Sequence, residues 1–192
     1  MTEYKLLIFV DREGLDSETY TQLSKLYQQS IVEFNINQST IYPDAGFDLY
    51  VANKTNVLGT DQNPQVSSVK VSHNIKIAMY KRESSTVENM TEWTPTSYYM
   101  YPRSSFSKTS LCLGNHTGIF DSGYRGHVIM AVRNLAPATH CINQFDRLMQ
   151  ICTPTLSQMK VQLVDRLEDL NYCGIPLRGE GGFGSTGIGI EI

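Results

Sequence analysis

Residues able to bind a phosphorylated ligand are concentrated in the segment 178–187. It contains five glycines together with one arginine, one phenylalanine and a Ser-Thr pair. Backbone N–H groups, an arginine fork and hydroxyls suit phosphate oxygens, and an isolated aromatic ring can stack on a base. The same composition is also typical of a disordered tail. The segment is therefore either an unstructured end or a flap that orders over a nucleotide.

Familiar nucleotide motifs do not account for this segment. The spacing G-x-G-x-x-G runs from Gly179 to Gly184, but a dinucleotide fingerprint also needs a following helix and an acidic residue about twenty positions later. Eight residues follow Gly184 in this sequence, so that motif is not expected. A P-loop is not expected either, because no lysine precedes Ser185-Thr186.

Asp121 is the candidate for acid–base chemistry. It follows the apolar pair Ile119-Phe120 and precedes a turn, with Tyr124 just beyond. A carboxylate at the mouth of a hairpin could accept a proton from an attacking water. A solvated aspartate in a β-turn is a common alternative.

Three further stretches combine charged and apolar residues. In "YPRSSFS", Arg103 and the serines after it form a possible phosphate clamp or an ordinary surface loop. In "DAGFDLY", Asp48 lies in an apolar strand, where a carboxylate normally needs a partner or an ion. In "FDRLMQICTP", Arg147 and Gln150 stand among apolar residues.

The elements that must position these residues are mostly strands. One segment has helical periodicity, and Asp16 or Ser17 can cap its start. Its apolar residues recur on one face: Tyr20, Leu23, Leu26, Tyr27, Ile31 and Phe34. Elsewhere short or alternating apolar runs, including a strand pair within 69–79 and a strand over 127–132, are separated by turn residues. This pattern is typical of an all-β sandwich, barrel or jelly roll.

Composition excludes several classes of function. The 192 residues carry a formal charge of −3, which argues against direct nucleic-acid binding. The longest apolar run, Leu6-Leu7-Ile8-Phe9-Val10, is too short for a membrane span or signal-peptide core. We therefore expect an intracellular protein, cytoplasmic or nuclear, that binds no membrane. The four cysteines and four histidines have no ligand spacing, so a protein-built zinc site is not expected.

Taken in order, the five stretches resemble the five motifs of the trimeric dUTP pyrophosphatase (dUTPase) family. The family patterns are AGYDLY, PRSG, G-N-x-x-G-x-I-D-x-x-Y-x-G, GDRIAQ and RGxGGFGSTG, and the match spans residues 44–187. The resemblance implies a distorted jelly roll that forms a homotrimer with shared active sites. It also implies Mg²⁺-dependent hydrolysis of dUTP to dUMP and pyrophosphate.

The resemblance implies a role for each matched residue. Asp121 would orient and deprotonate the attacking water, and Tyr124 would pack on the deoxyribose and exclude a 2′-hydroxyl. Asn115 and the backbone near Gly118 would read the uracil edge. Asp48 would meet the waters of a Mg²⁺ ion held mainly by the phosphates.

The remaining matched residues would contact the nucleotide from two other parts of the chain. One set is expected to meet the phosphates from the body of the protein: Arg103, Ser104, Ser105 and Gln150. The other belongs to an arm that closes over a neighbouring subunit's site. In that arm Phe183 would cover the uracil, and these residues would grip the phosphates: Arg178, Gly184, Ser185 and Thr186.

The motifs depart from the family at three positions. Ser105 and Phe145 replace glycines, and Gly123 replaces a frequent acid. Ser105 gives the Arg-Ser-Ser found in dCTP deaminases, so a deaminase-like enzyme is one alternative. A dUTPase-fold regulator acting through protein partners is another.

By the same resemblance we divide the chain into three parts. Residues 1–40 form an N-terminal extension of strand plus helix, and 41–170 form the β core with an insertion around 60–97. Residues 171–192 form the C-terminal arm.

Overall fold

The computed structural model describes residues 2–83 and 92–171. These residues form one α-helix and twelve strands, which confirms the prediction of an all-β fold with a single helix near the N-terminus. The helix α1 spans Ser17–Asn37, and two 3-10 helices span Ser104–Lys108 and Leu167–Leu170. The strands are β1 Thr2–Val10, β2 Gly46–Tyr50, β3 Thr55–Val57, β4 Val69–Glu83, β5 Thr94–Pro95, β6 Tyr98–Pro102, β7 Leu111–Leu113, β8 Gly118–Phe120, β9 His127–Asn134, β10 His140–Ile142, β11 Arg147–Cys152 and β12 Met159–Val164.

Two open sheets provide the framework. The larger has the order β12-β1-β4-β9-β7, with β5 added along β4, and the smaller has the order β2-β11-β6-β8. Strands β3 and β10 form a separate pair. Side chains from both sheets and from α1 share one hydrophobic core. Over the described residues neither sheet closes into a barrel, so the distorted jelly roll takes the open, sandwich form.

Strand β1 lies in the interior of the larger sheet. It pairs parallel with β12 and antiparallel with β4. Leu6 and Ile8 belong to the main core, whereas Leu7 packs in a second cluster with Tyr80 and Leu170. Because both faces of β1 are buried, its sequence is a continuous apolar run instead of an alternating one.

Helix α1 begins and packs as its sequence predicts. The Asp16 carboxylate accepts a hydrogen bond from the Thr19 backbone N–H at 2.7 Å, which satisfies one of the free donors of the first turn. The buried face contains Leu23, Tyr27, Ile31 and Phe34. None of the helices in the described residues is long and apolar enough to cross a membrane.

The helix also covers the edge of the larger sheet. The Asn35 side-chain Nδ2 donates to the Val161 backbone carbonyl at 2.8 Å, and the Val161 N–H donates to the Asn35 side-chain Oδ1 at 2.9 Å. Since β12 is an edge strand, these two bonds occupy backbone groups that could otherwise pair with another chain.

The segment 69–79 is one strand and not the predicted pair. Strand β4 continues from Val69 to Glu83, but its register against β9 shifts between Ser72 and Lys76. Asn74, inside this bulge, has φ of 49°. Ser72 and Lys76 are four positions apart, whereas their partners Ile129 and His127 are two positions apart. The two extra residues of β4 bend the chain without ending the strand, and the bend interrupts the alternation that the sequence shows.

Candidate functional site

One cleft of about 510 Å³ collects predicted residues from three distant stretches. Its walls include Asp48 on β2, Arg103 and Ser104 at the end of β6, and Gln150 on β11. They meet because β11 pairs with both strands, so that Gln150 is opposite Asp48 on one side and Tyr101 on the other. The pairing of the smaller sheet therefore builds the cleft.

Asp48 forms the charged centre of this cleft. Its carboxylate lies 2.6 Å from Arg103 Nε and 3.3 Å from Arg147 Nη1. Burial raises the pKa of the Asp48 carboxyl above its ordinary value, while the two guanidinium groups act in the opposite direction. With both guanidinium groups against it, the carboxylate is the form we expect at neutral pH. The two arginines give the cleft the donors that a phosphate would need.

Backbone contacts fix the position of Arg103. Its N–H donates to the Leu148 carbonyl at 2.8 Å, and Nη1 donates to the Arg147 carbonyl at 3.1 Å. Ser104 and Ser105 follow in the first 3-10 helix. Ser105 is not among the described residues with positive φ, so this loop does not require the glycine that the family pattern has there.

Phe145, the second departure, does occupy a glycine-like position. Its φ is 65°, in the left-handed region that favours glycine. Its N–H donates to the Val51 carbonyl at 2.7 Å, and the Val51 N–H donates to the Asp146 carbonyl at 2.9 Å. The turn before Arg147 is thus kept with a side chain in place, and the ring packs against the main core.

Gly46 is required by close packing against Gln150. A Cβ at this position would lie 2.2 Å from Gln150 Oε1 and 3.0 Å from Cys152 Sγ. Any side chain here would displace Gln150, whose amide donates to the Pro102 carbonyl at 3.2 Å.

Helix α1 supplies a wall that the sequence patterns did not predict. Ser30, Glu33, Phe34 and Asn37 line the cleft. The Phe34 ring meets the Phe47 ring edge-to-face with centroids 5.3 Å apart. The Asn37 side chain accepts from the Asp44 N–H at 2.7 Å. No motif includes these residues, and only the helical periodicity pointed toward a packed face here.

A second group of predicted residues lies on the connection between the two sheets. In the described residues this connection is not the predicted hairpin, because β7 pairs with β9 and β8 pairs with β6. β7 belongs to the larger sheet and β8 to the smaller one, so the turn containing Asn115 crosses between them. Gly118 packs tightly on Met100, since an added Cβ would lie 3.1 Å from its Cβ. Asp121 is exposed just beyond β8, and its carbonyl accepts from the Tyr124 N–H at 3.0 Å.

The two groups lie at opposite ends of β6. Phe120 pairs with Tyr98, which places Asp121 beside the start of β6, whereas Arg103 follows its end. Six residues of extended strand correspond to about 20 Å. Asp121 of one chain is therefore too far from Arg103 of the same chain to act on a phosphate bound there.

The predicted residues of the arm are outside the described part of the chain. They are Arg178, Phe183, Gly184, Ser185 and Thr186.

Comparison with known proteins identifies the family. The dUTPase family model matches residues 32–187. The deoxyuridine 5′-triphosphate nucleotidohydrolase of Escherichia phage T5 is 39% identical over 87 residues, which are 45% of this chain and 55% of that protein. The protein of that name from Burkholderia cenocepacia (strain HI2424) is 36% identical over an equal length. The chain thus spans about half the length of these curated relatives.

Among solved structures, the dUTPase from Streptococcus mutans covers 67% of this chain and 86% of its own, with a TM-score of 0.43 and 23% identity. The family model includes all five of the stretches that carry the candidate chemistry, together with most of the chain. The chain therefore belongs to the dUTPase family.

Proposed function

We propose that the protein hydrolyses dUTP to dUMP and pyrophosphate. The observation that carries the proposal is the cleft in which Asp48, Arg103, Ser104 and Gln150 meet from three distant stretches. All four are positions matched to the family motifs, and two arginines face one carboxylate there. Such a site suits a metal-complexed polyphosphate better than a neutral ligand.

In the proposed reaction a water attacks the α-phosphorus of dUTP. Asp121 takes the proton from that water, the bond from the α-phosphorus to the bridging oxygen breaks, and pyrophosphate leaves. Tyr124 packs on the deoxyribose, while Asn115 and the backbone at Gly118 read the uracil edge. A base with a different donor pattern would leave buried polar groups unpaired, which is a strong basis for rejection.

The donor set around Asp48 fits Mg²⁺ through water. Both carboxylate oxygens already lie against guanidinium groups, so direct ligation would compete with Arg103 and Arg147. A contact through water leaves both pairs in place, and Mg²⁺ usually keeps several waters while binding substrate phosphates. When bound, the ion would neutralise charge on the phosphates.

A complete site requires more than one chain. Because Asp121 and Arg103 are separated by about 20 Å along β6, we propose that Asp121 acts on a nucleotide whose phosphates lie in a neighbouring chain's cleft. A closed homotrimer provides three such sites. In this arrangement the arm covers a neighbouring site, with Phe183 on the uracil and these residues on the phosphates: Arg178, Gly184, Ser185 and Thr186.

The enzyme would act where the nucleotide pool is, in the cytoplasm or nucleus.

Mixing two inactive variants tests the shared site. Asp121→Asn and Arg103→Ala should each be nearly inactive alone, and equal mixing after dissociation and reassembly should restore about a quarter of wild-type activity, since that fraction of shared sites holds both intact groups. A mixture as inactive as its components would show that the site lies within one chain.

Substrate assays test the activity itself. Pyrophosphate release should be seen with dUTP and be far slower with dCTP, dTTP and UTP. Asp121→Asn should lower turnover by about 10²–10⁴-fold, the range for loss of a general base. Ammonia release from dCTP would favour the deaminase alternative. No nucleotide turnover together with capture of a protein partner would favour the regulator.

A further inference from the structure

A partly buried ionic cluster lies next to the segment 121–126 that carries Tyr124. Asp11, just after β1, has its Oδ2 atom 3.0 Å from His127 Nε2 and 3.2 Å from Lys76 Nζ. Its Oδ1 atom accepts from the Glu13 N–H at 3.0 Å. The Lys76 side chain is only 7% exposed, and Asp11 supplies a compensating negative charge at its ammonium group.

The cluster does not have the charge balance of a metal site. Ligand atoms of Asp11, Glu13 and His127 lie within 4.8 Å of one another, a spacing that would admit a cation. The Lys76 ammonium already supplies positive charge at the Asp11 carboxylate. A metal ion there would meet a like charge at close range.

His127 connects this cluster to Tyr124. The Tyr124 hydroxyl donates to the His127 carbonyl at 3.0 Å. The ring also lies directly on Gly126, where a Cβ would be 2.4 Å from the hydroxyl oxygen, and it meets the Phe120 ring at 5.7 Å. The position of the ring therefore depends on the backbone at His127 and on the absence of a side chain at Gly126.

We propose that Asp11 is a positioning residue that sets sugar selectivity by holding His127, and through it Tyr124. The inference rests on the proposed function, in which the Tyr124 ring leaves no room for a ribose 2′-hydroxyl. His127 is fixed at two points, by pairing with Lys76 across β4 and β9 and by its ring hydrogen bond to Asp11. Without Asp11 the hydrogen bond that holds the His127 ring is lost. The His127 carbonyl, which accepts from the Tyr124 hydroxyl, is then free to shift.

Two substitutions separate the hydrogen bond from the charge. Asp11→Ala removes both. Asp11→Asn keeps one oxygen that can accept from the His127 ring, but it removes the negative charge beside Lys76 and leaves the Glu13 N–H without its acceptor. Glu3→Ala is a matched control. Asp11 and Lys76 join β1 to β4 at one end, and Glu3 forms an ion pair with Arg82 between β1 and β4 at the other end.

The readout is the ratio of kcat/KM for dUTP to kcat/KM for UTP. A displacement near 1 Å can change rates by about a hundredfold, so Asp11→Ala should lower the ratio by about ten- to a hundredfold. Asp11→Asn should lower the melting temperature and keep the ratio near that of the wild type. Glu3→Ala should leave the ratio unchanged. A merely structural role would reduce kcat/KM for dUTP and for UTP by the same factor. An unchanged ratio in Asp11→Ala would therefore overturn the inference.

Amide hydrogen exchange gives a second test that does not depend on turnover. Exchange over residues 122–127 should be faster in Asp11→Ala than in the wild type and unchanged in Glu3→Ala. If the wild type fails to hydrolyse dUTP, the proposed function fails and this measurement alone decides the positioning role. Equal exchange in Asp11→Ala and the wild type would refute it.

Discussion

The buried imidazole of His73 should make the protein sensitive to mild acid. The side chain is 0% exposed, and its Nδ1–H donates to the Tyr50 carbonyl at 2.9 Å. Nε2 is buried without a hydrogen-bond partner among the described residues. Burial lowers the pKa of His73 to about 4 from 6.5, although the bond to Tyr50 acts in the opposite direction.

The size of the effect follows from the two pKa values. Above pH 6.5 the ring is neutral in both the folded and unfolded states, so folding is not penalised. As the pH falls from 6.5 toward 4, the unfolded chain takes up a proton that the folded chain refuses, and stability is lost. A difference of one pKa unit between the folded and the unfolded state corresponds to about 1.4 kcal/mol in the free energy of unfolding. The free energy of unfolding should therefore fall by about 2 kcal/mol from pH 7 to pH 5, and by about 3 kcal/mol at pH 4.

His73→Asn isolates this contribution. The asparagine amide can replace the Nδ1 donor to Tyr50 without titrating. Urea unfolding of wild type and variant should be compared at pH 7, 6 and 5 and at one protein concentration, because the stability of the proposed trimer would depend on concentration. The variant should be less stable at pH 7, since it leaves a cavity, but it should lose less stability on acidification. His116→Asn, at an exposed position, serves as the control. Parallel pH profiles for the wild type and His73→Asn would refute the reasoning.

Three other predictions concern the site. Gly46→Ala should lower the melting temperature, because overpacking typically costs about 1–3 kcal/mol, and it should lower dUTP turnover, because the new methyl displaces Gln150. A wild-type melting temperature in calorimetry together with wild-type turnover in a pyrophosphate assay would contradict this. Tyr124→Ala should narrow the preference for dUTP over UTP, and an unchanged ratio of kcat/KM values would show that the ring does not select the sugar. Ending the chain at Leu177 should leave the proposed trimer intact by sedimentation but reduce turnover steeply, since a lost stacking contact is typically worth about 1–3 kcal/mol. Full activity in that variant would exclude a role for the arm.

Local patterns predicted the elements whose residues follow one period. Helix α1 could be identified because its cap and its buried face follow helical spacing. The pattern over 69–79 predicts two strands in place of β4, because the bulge between Ser72 and Lys76 interrupts its alternation. The position of β1 inside the sheet could not be predicted, since an apolar run of that length fits any buried element.

Local sequence motifs predicted the cleft residues that lie on strands β2, β6 and β11, but not those on the helix. The matched motifs identified Asp48, Arg103, Ser104 and Gln150, which the pairing of β2, β6 and β11 brings to one cleft. The wall formed by α1 depends on tertiary packing between Phe34 and Phe47, for which the sequence has no local signal. The Asp11–His127 contact joins residues 116 positions apart, and composition gives no indication of such a pair.

The interior position of β1 has a consequence for how the chain folds as it is synthesised. Strand β4 follows early enough to pair with one edge of β1, but Tyr4 meets Thr155, 151 residues later, on the β12 side. At about 5–20 residues per second, the ribosome delivers that partner about 8–30 s after β1. During this interval the second edge of β1 has no native partner, and the apolar run Leu6–Val10 has only part of its native cover. Pairings across such a long loop also form slowly. The yield of native protein should therefore be set by how well β1 is protected from other nascent chains until β12 arrives, and Asn35 then closes the new edge at Val161.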